Sequence, residues 1–358
     1  MLPFAATSFF KLRIIDMKKT EIISFGSASA KPGEKVIHYE PIMQMADGTY
    51  LNIPFSIMNG RYDGPTLVLG GCMHGDEYNG LIALVEAMQK VDLEELHGAI
   101  ICLPVENPIG FAIRSRLTLL SPCNAVDTLN PSRCWPGNPN GDTINRIVSW
   151  LFKEIVKVNP ALYLDLHTGA LGNECALHAA LPSARVNPEA VAKTRELAIA
   201  FGLTLLMEPD PNDVGNYGQD GGTNTEVSRV GIPAYTAELG LGYSMVRDSV
   251  KIGVQGIFNT MYHLGMLNGT PVLPSEPPIR LRTEVQYRAN SGGITYWDVE
   301  PGDRISKGEV IGRTVSVFGD VTEIIRAPED GYIIQLRRMP TTYTGERIAR
   351  IGIPYPNE

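Results

Sequence analysis

Residues Leu67-Val-Leu-Gly-Gly-Cys-Met-His-Gly-Asp-Glu-Tyr-Asn-Gly80 decide how this chain is read. Three apolar residues run into a Gly-Gly turn, and His74 and Glu77 follow, three apart, just before a helical pattern begins. The order predicts a buried strand over Thr66–Leu69 opening onto an amphipathic helix over Tyr78–Val91, where Leu81, Leu84, Val85 and Met88 share one face. An imidazole and a carboxylate on a turn at the mouth of a buried strand can close on one metal ion.

Working outward, Ala99–Leu103 reads as a second buried strand ending at Pro104. Strand, helix, strand is the signature of a parallel α/β sheet. Ala161–Gly169 is another strand, ending on His167, and Ile232–Leu239 is a strand carrying Glu238 near its end. Helical patterns cover 144–156 (with Asp142 or Thr143 as N-cap), 188–202 closing on Gly202, 223–230 and 250–267. Residues 21–58 are strand-like, with turns at Lys31-Pro-Gly33 and Asp47-Gly48. Gly269–Pro278 is the clearest linker, and beyond it short strands separated by glycine turns predict an all-β unit. The expected organisation is a loosely ordered extension over 1–20, a catalytic domain over 21–268, a linker over 269–278 and a β-sandwich-like domain over 279–358.

Composition narrows the partners. A formal charge of -8 argues against nucleic-acid binding, which needs a basic surface. The apolar N-terminus is too short to span a bilayer and lacks the basic segment of a signal peptide, so no membrane role and a cytoplasmic location are expected. The five cysteines (Cys72, Cys102, Cys123, Cys134, Cys175) form no Cys-x-x-Cys pair, which fits free thiols better than a disulfide framework.

A catalytic zinc site commonly takes three protein ligands, and His167, closing an apolar run, is the candidate third beside His74 and Glu77. Asp165, two residues earlier on the same strand face, is placed to orient that ligand. The other histidines sit in ordinary contexts, although His178 is near enough to line the cleft. Glu238 is the candidate general base for a metal-activated water, since the glycine-rich turn after it would present its carboxylate at the same sheet edge. The irregular stretch 104–142 carries Arg116 and Arg133, either of which could bind a carboxylate or an oxyanion. Taken singly, each of these residues is more often a structural histidine or a solvated charge; it is their conjunction that points to chemistry.

Together the motifs resemble the succinylglutamate desuccinylase/aspartoacylase family. The resemblance implies an α/β fold, a zinc-carboxypeptidase-like mixed sheet flanked by helices, with a small C-terminal all-β domain. His74-Gly-Asp-Glu77 looks like the family's His-x-x-Glu zinc motif, Asp165-Leu-His167 like its third-ligand strand, and Glu238 like its catalytic glutamate. Asn107-Pro-Ile-Gly-Phe to Arg116 looks like the segment whose arginine polarises the scissile carbonyl, and Arg133-Cys-Trp-Pro-Gly137 like the one whose arginine holds a substrate carboxylate. The family has Asn-Arg before that aromatic-Pro-Gly. Here Ser132 stands in the Asn position and Asn130 lies two residues earlier, which leaves both as candidate substrate-binding residues. The C-terminal unit resembles a biotinyl/lipoyl-carrier sandwich, but no lysine follows Lys307, so a swinging-arm role is rejected. Covering the cleft, or building a homo-oligomer interface, is expected of it instead.

The resemblance implies one Zn²⁺ per chain and a zinc-dependent hydrolase that removes an acyl group from a small, carboxylate-bearing N-acyl amino acid or related amine. The alternatives are a metallocarboxypeptidase acting on peptides and a non-catalytic metal- or ligand-binding homologue. The intact set His74, Glu77, His167 and Glu238 speaks against the last.

Overall fold

The structure is a computed structural model describing residues 18–118, 130–183, 185–211 and 220–356. The expected N-terminal extension through residue 17, residues 119–129 of the irregular stretch, and residues 184, 212–219 and 357–358 lie outside the described residues.

The chain opens with strands β1 (Ile23–Phe25), β2 (Ala28–Ala30), β3 (Lys35–Gln44), β4 (Tyr50–Asn59) and β5 (Tyr62–Gly71). Then come α1 (Tyr78–Met88), β6 (His97–Leu103), α2 (Pro108–Ile113), a 3-10 turn (Pro131–Arg133), α3 (Thr143–Val158) and β7 (Leu162–His167). Next are β8 (Asn173–Cys175), β9 (His178–Ala180), α4 (Pro188–Phe201), β10 (Leu205–Met207), α5 (Thr223–Arg229), β11 (Ala234–Glu238) and α6 (Arg247–His263). The remainder is β: β12 (Ile279–Arg288), β13 (Gly293–Trp297), β14 (Arg304–Ile305), β15 (Val310–Val315) and β16 (Val321–Arg326), then β17 (Gly331–Arg337), β18 (Thr341–Thr342) and β19 (Arg347–Pro354).

Among the described residues one mixed sheet dominates, ordered β14-β17-β19-β12-β10-β9-β11-β7-β5-β6-β4-β3, with β8 beside β17. Its centre, β6-β5-β7-β11, is parallel throughout. These strands alternate between two buried faces. Leu67, Leu69, Ile100, Leu162 and Leu164 pack under α1, α4 and α6, whereas Val68, Ile101 and Tyr163 pack under α3. No helix among the described residues is long and apolar enough to cross a membrane.

Local chemistry sets the element ends. The Asp142 side chain caps α3 by accepting from Asn145 N at 2.9 Å, and α4 closes on Gly202 at φ 98°. Within the stretch read as irregular, Asn107 caps the six-residue α2, whose first position is Pro108. So short a helix leaves too few residues to show a period. Segment 269–278 has no regular structure and is tied down by Asn259, which donates from Nδ2 to Val272 O at 2.8 Å and accepts at Oδ1 from Val272 N at 2.8 Å. Immediately after it, β12 pairs in parallel with β10, Leu205 opposite Ile279, so the large sheet runs on into the C-terminal strands. The second sheet, β16-β15-β13-β18, packs Ile311 and Ile325 against Ile333, Leu336 and Ile351 of the first.

Gly80 marks how closely α1 sits on β7: a Cβ there would lie 2.7 Å from both the carbonyl oxygen and the Cβ of Leu166. Gly→Ala inside an exposed helix gains roughly 1 kcal/mol. Here Gly80→Ala should instead cost about 1–3 kcal/mol through overpacking. Chemical denaturation checks the sign, and a stabilised variant would refute the close approach.

Candidate active site

The C-terminal ends of the parallel strands converge on one edge, because register aligns them. Gly71 at the end of β5 pairs with Leu166, and Glu238 at the end of β11 pairs with His167. In open α/β sheets this edge is where ligands bind. Beyond β5 the chain turns through Cys72, a non-glycine residue at φ 48°, and delivers His74 and Glu77 to the same edge. All three candidate ligands are buried, His74 at 2%, Glu77 at 1% and His167 at 5% exposure, so their chemistry is shielded from bulk water.

Glu77 is the hub. Its Oε1 lies 2.9 Å from His74 Nδ1, and its Oε2 lies 2.7 Å from His167 Nδ1 and accepts from Thr168 N at 3.1 Å. His74 Nδ1, His167 Nδ1 and the Glu77 carboxylate thus meet at one point, a donor set suited to a metal ion. Arg116 tests the fit. Its Nη1 lies 3.0 Å from His74 Nδ1 and 2.8 Å from Glu77 Oε1, and a guanidinium can only donate. His74 Nδ1 is therefore the lone-pair nitrogen, while Nε2–H faces Asn130 Oδ1 at 2.9 Å and Ser132 Oγ at 3.1 Å. A lone pair and a carboxylate oxygen 2.9 Å apart repel unless a cation joins them. Arg116 supplies one, and a metal ion fits the same demand. His167 is turned the same way, Nδ1 to the centre and Nε2 2.8 Å from Asp165 Oδ2, the carboxylate–histidine arrangement that orients metal ligands.

The electrostatics follow. Burial, then Arg116, pulls His74 down to about 4, which keeps it neutral. Burial acts in the same direction on His167, but Asp165 and Glu77 outweigh it and hold that ring well above its ordinary value. Glu238 is pushed up to about 8, first by burial and then by repulsion from Glu77, and its Oε2 has no hydrogen-bond partner among the described residues. Behind Asp165 lies Glu106, fully buried, accepting from Tyr163 Oη at 2.8 Å and lifted well above the carboxylate range by burial and then by Asp165. Its carboxylate occupies the space a side chain at Gly70 would need, 2.5 Å from a Cβ there.

One cavity joins His74, His167, Arg116, Arg133 and Glu238. Asn130 and Ser132 both face the site, where they contact His74 Nε2, and Ser132 O accepts from Arg133 Nη1 at 2.9 Å. His178 does not line the cavity; it is fully buried, with Nδ1 2.9 Å from Ala176 O. Three parts of the surroundings escaped the sequence reading: Glu106, Thr168 and the cavity wall of Thr223, Asn224 and Thr236. An acidic residue at the exit of an apolar strand was the signal for Glu106. Thr-Asn-Thr after Gly221-Gly222 was a weak one for the wall.

Comparison with known proteins bears on this geometry. The model of the succinylglutamate desuccinylase/aspartoacylase catalytic domain matches residues 63–264. The chain belongs to that family. A curated relative within reach is the N-alpha-acetyl-L-2,4-diaminobutyric acid deacetylase of Halomonas elongata, 29% identical over 311 residues, 84% of this chain and 85% of the relative. Among solved structures, the product-bound ectoine utilization protein EutE of Ruegeria pomeroyi superposes with a TM-score of 0.78 at 23% identity, covering 94% of this chain and 100% of its own. A succinylglutamate desuccinylase from a Silicibacter species gives 0.77 at 23% identity, covering 95% and 100%. These two show that the fold is shared.

Two outcomes follow from the geometry. Asp165→Asn should weaken zinc binding about 10- to 100-fold, measured by competition with a chromophoric chelator; unaltered affinity would remove the orienting role. In metal-free protein the raised Glu238 favours folding only while protonated, so its contribution is complete below about 4.5 and is lost as pH rises through about 8. Glu238→Gln should flatten that decline in denaturation midpoints collected across the interval, and a wild-type curve without the decline would contradict the shift.

Proposed function

We propose that this family member is a zinc-dependent deacylase that hydrolyses the amide bond of a small N-acyl amino acid, with an N-acetylated diamino acid as the leading candidate. The observation that carries the reading is the meeting of His74 Nδ1, Glu77 and His167 Nδ1, with Glu238 directly opposite His167 in the sheet register. The curated relative's deacetylase activity supports the substrate class. A bound zinc ion supplies Lewis acidity and lowers the pKa of water.

His74, Glu77 and His167 would hold that ion, with Asp165 fixing His167 and with Asn130 and Ser132 fixing His74. Glu238 takes a proton from the attacking water and returns it to the departing amine nitrogen as the C–N bond breaks. Arg116, which reaches both Glu77 and His74, stabilises charge developing on the carbonyl oxygen. Arg133, lining the same cavity, pairs with the substrate carboxylate. In this reading residues 21–268 form the catalytic domain, and the strands after 278 cover it.

Chelation should abolish hydrolysis of N-acyl amino acids and added zinc should restore it; activity indifferent to chelation would sink the proposal. Glu238→Gln should retain zinc while kcat drops about 10²- to 10⁴-fold. A panel of N-acyl amino acids against dipeptides separates deacylase from carboxypeptidase, and preference for the dipeptides would overturn the reading.

A further inference from the structure

On the sheet face that carries Tyr163, Asp165 and His167, one acidic side chain takes no part in the proposed reaction. Glu106 lies just past the end of β6 and is fully buried. Gly70 stands opposite Asp165 in the sheet, and a Cβ on Gly70 would lie 2.5 Å from Glu106 Oε1 and 2.8 Å from Oε2. The Glu106 carboxyl group therefore lies over Gly70, beside that residue's cross-strand neighbour Asp165, with no side chain between them. Tyr163, two residues before Asp165 on the same face, donates from Oη to Glu106 Oε1 at 2.8 Å. Glu106 Oε2 and Asp165 Oδ1 are both buried, and neither meets an N–H or a hydroxyl among the described residues.

Two bare carboxylates side by side in a dry interior repel, and one proton held between them turns that repulsion into a hydrogen bond. The partners decide which group keeps it. Asp165 Oδ2 faces His167 Nε2 at 2.8 Å, which favours the anion there. Glu106 has only the neutral Tyr163 hydroxyl, and burial, followed by Asp165, lifts it well above the carboxylate range. Every hydrogen then has one direction: Tyr163 Oη–H to Glu106 Oε1, Glu106 Oε2–H to Asp165 Oδ1, and His167 Nε2–H to Asp165 Oδ2. That order leaves His167 Nδ1 pointing to the centre it shares with Glu77 and His74. Filling the space over Gly70 needs no carboxyl group, since methionine has a similar volume and carries no desolvation cost.

We infer that Glu106 is a positioning residue: it carries a fixed proton, gives it in a hydrogen bond to Asp165, and so locks the carboxylate that orients His167. The proton stands on the arrangement of Glu106, Tyr163 and Asp165; its effect on His167 rests on the metal reading of the site.

Infrared difference spectra near neutral pH test the proton, on zinc-loaded protein in a Glu238→Gln background that removes the cavity's other raised glutamate. The C=O band of a protonated carboxyl group should be present, and labelling the glutamates isotopically at the side-chain carboxyl should shift it. Adding Glu106→Gln should abolish it. No such band, a band that ignores the glutamate label because Asp165 holds the proton, or a band that survives Glu106→Gln each overturns the proposal.

Zinc affinity, measured by competition with a chelator, tests the positioning. Glu106→Gln, whose amide donates to Asp165 and accepts from Tyr163, should bind zinc as wild type does. Glu106→Met, which fills the space without a donor, should bind about tenfold more weakly. Affinity unmoved by Glu106→Met, or lowered equally by Glu106→Gln, overturns the role and leaves the deacylase standing. If the methionine variant does not fold, the infrared outcomes and the affinity of the glutamine variant still decide. Wild type that binds no zinc overturns the metal reading and the positioning role with it, and the band of the metal-free protein then judges the proton by itself.

Discussion

Two parallel registers govern the site: Gly71 opposite Leu166, and Glu238 opposite His167. Backbone hydrogen bonds between strands fix those pairings, so the Glu77 and Glu238 carboxylates and the His167 ring arrive at one edge with little freedom left to lose. A slip of one residue in β7 would turn His167 toward the α1, α4 and α6 layer and put Leu166 or Thr168 in its place. The precision of the donor set is thus inherited from the sheet.

The same strand shows how a buried face changes character along its length. Tyr163, Asp165 and His167 point one way, and Leu162, Leu164 and Leu166 the other. On the first face α3 covers Tyr163, and polarity begins where that helix's cover ends. Burying so many ionisable groups is expensive, and it is bearable because they are arranged in contact: Asp165 against His167, His167 against Glu77, Glu77 against Arg116. Glu238 stands outside this chain of contacts, its Oε2 without a hydrogen-bond partner among the described residues.

Much of this was legible in the chain itself. Periodicity places the helices and the buried strands, and the polar residues that end those strands, His167 and Glu238, announce themselves by interrupting apolar runs. What lay hidden has physical causes. The six-residue α2 is too short to display a period and depends on the Asn107 cap. Asn130 and Ser132 are two apart in sequence, and the 3-10 turn over Pro131–Arg133, which Asn130 caps and Ser132 lies within, brings both to His74 Nε2. Glu106 bonds to Tyr163 and Thr223 lines the cavity with residues of other elements, all distant in sequence, and local pattern carries no record of such distances.

The parallel pairing of β12 with β10 has a mechanical consequence. Leu205, Leu206 and Met207 are matched to Ile279, Arg280 and Leu281, and Leu281 shares a core with Met207, Ala180 and Ile334. A lid that swung on segment 269–278 would have to tear this ladder and open that core, at the cost of several hydrogen bonds and buried side chains at once. The C-terminal strands are therefore locked to the catalytic sheet through β10 and β12 and do not hinge at segment 269–278.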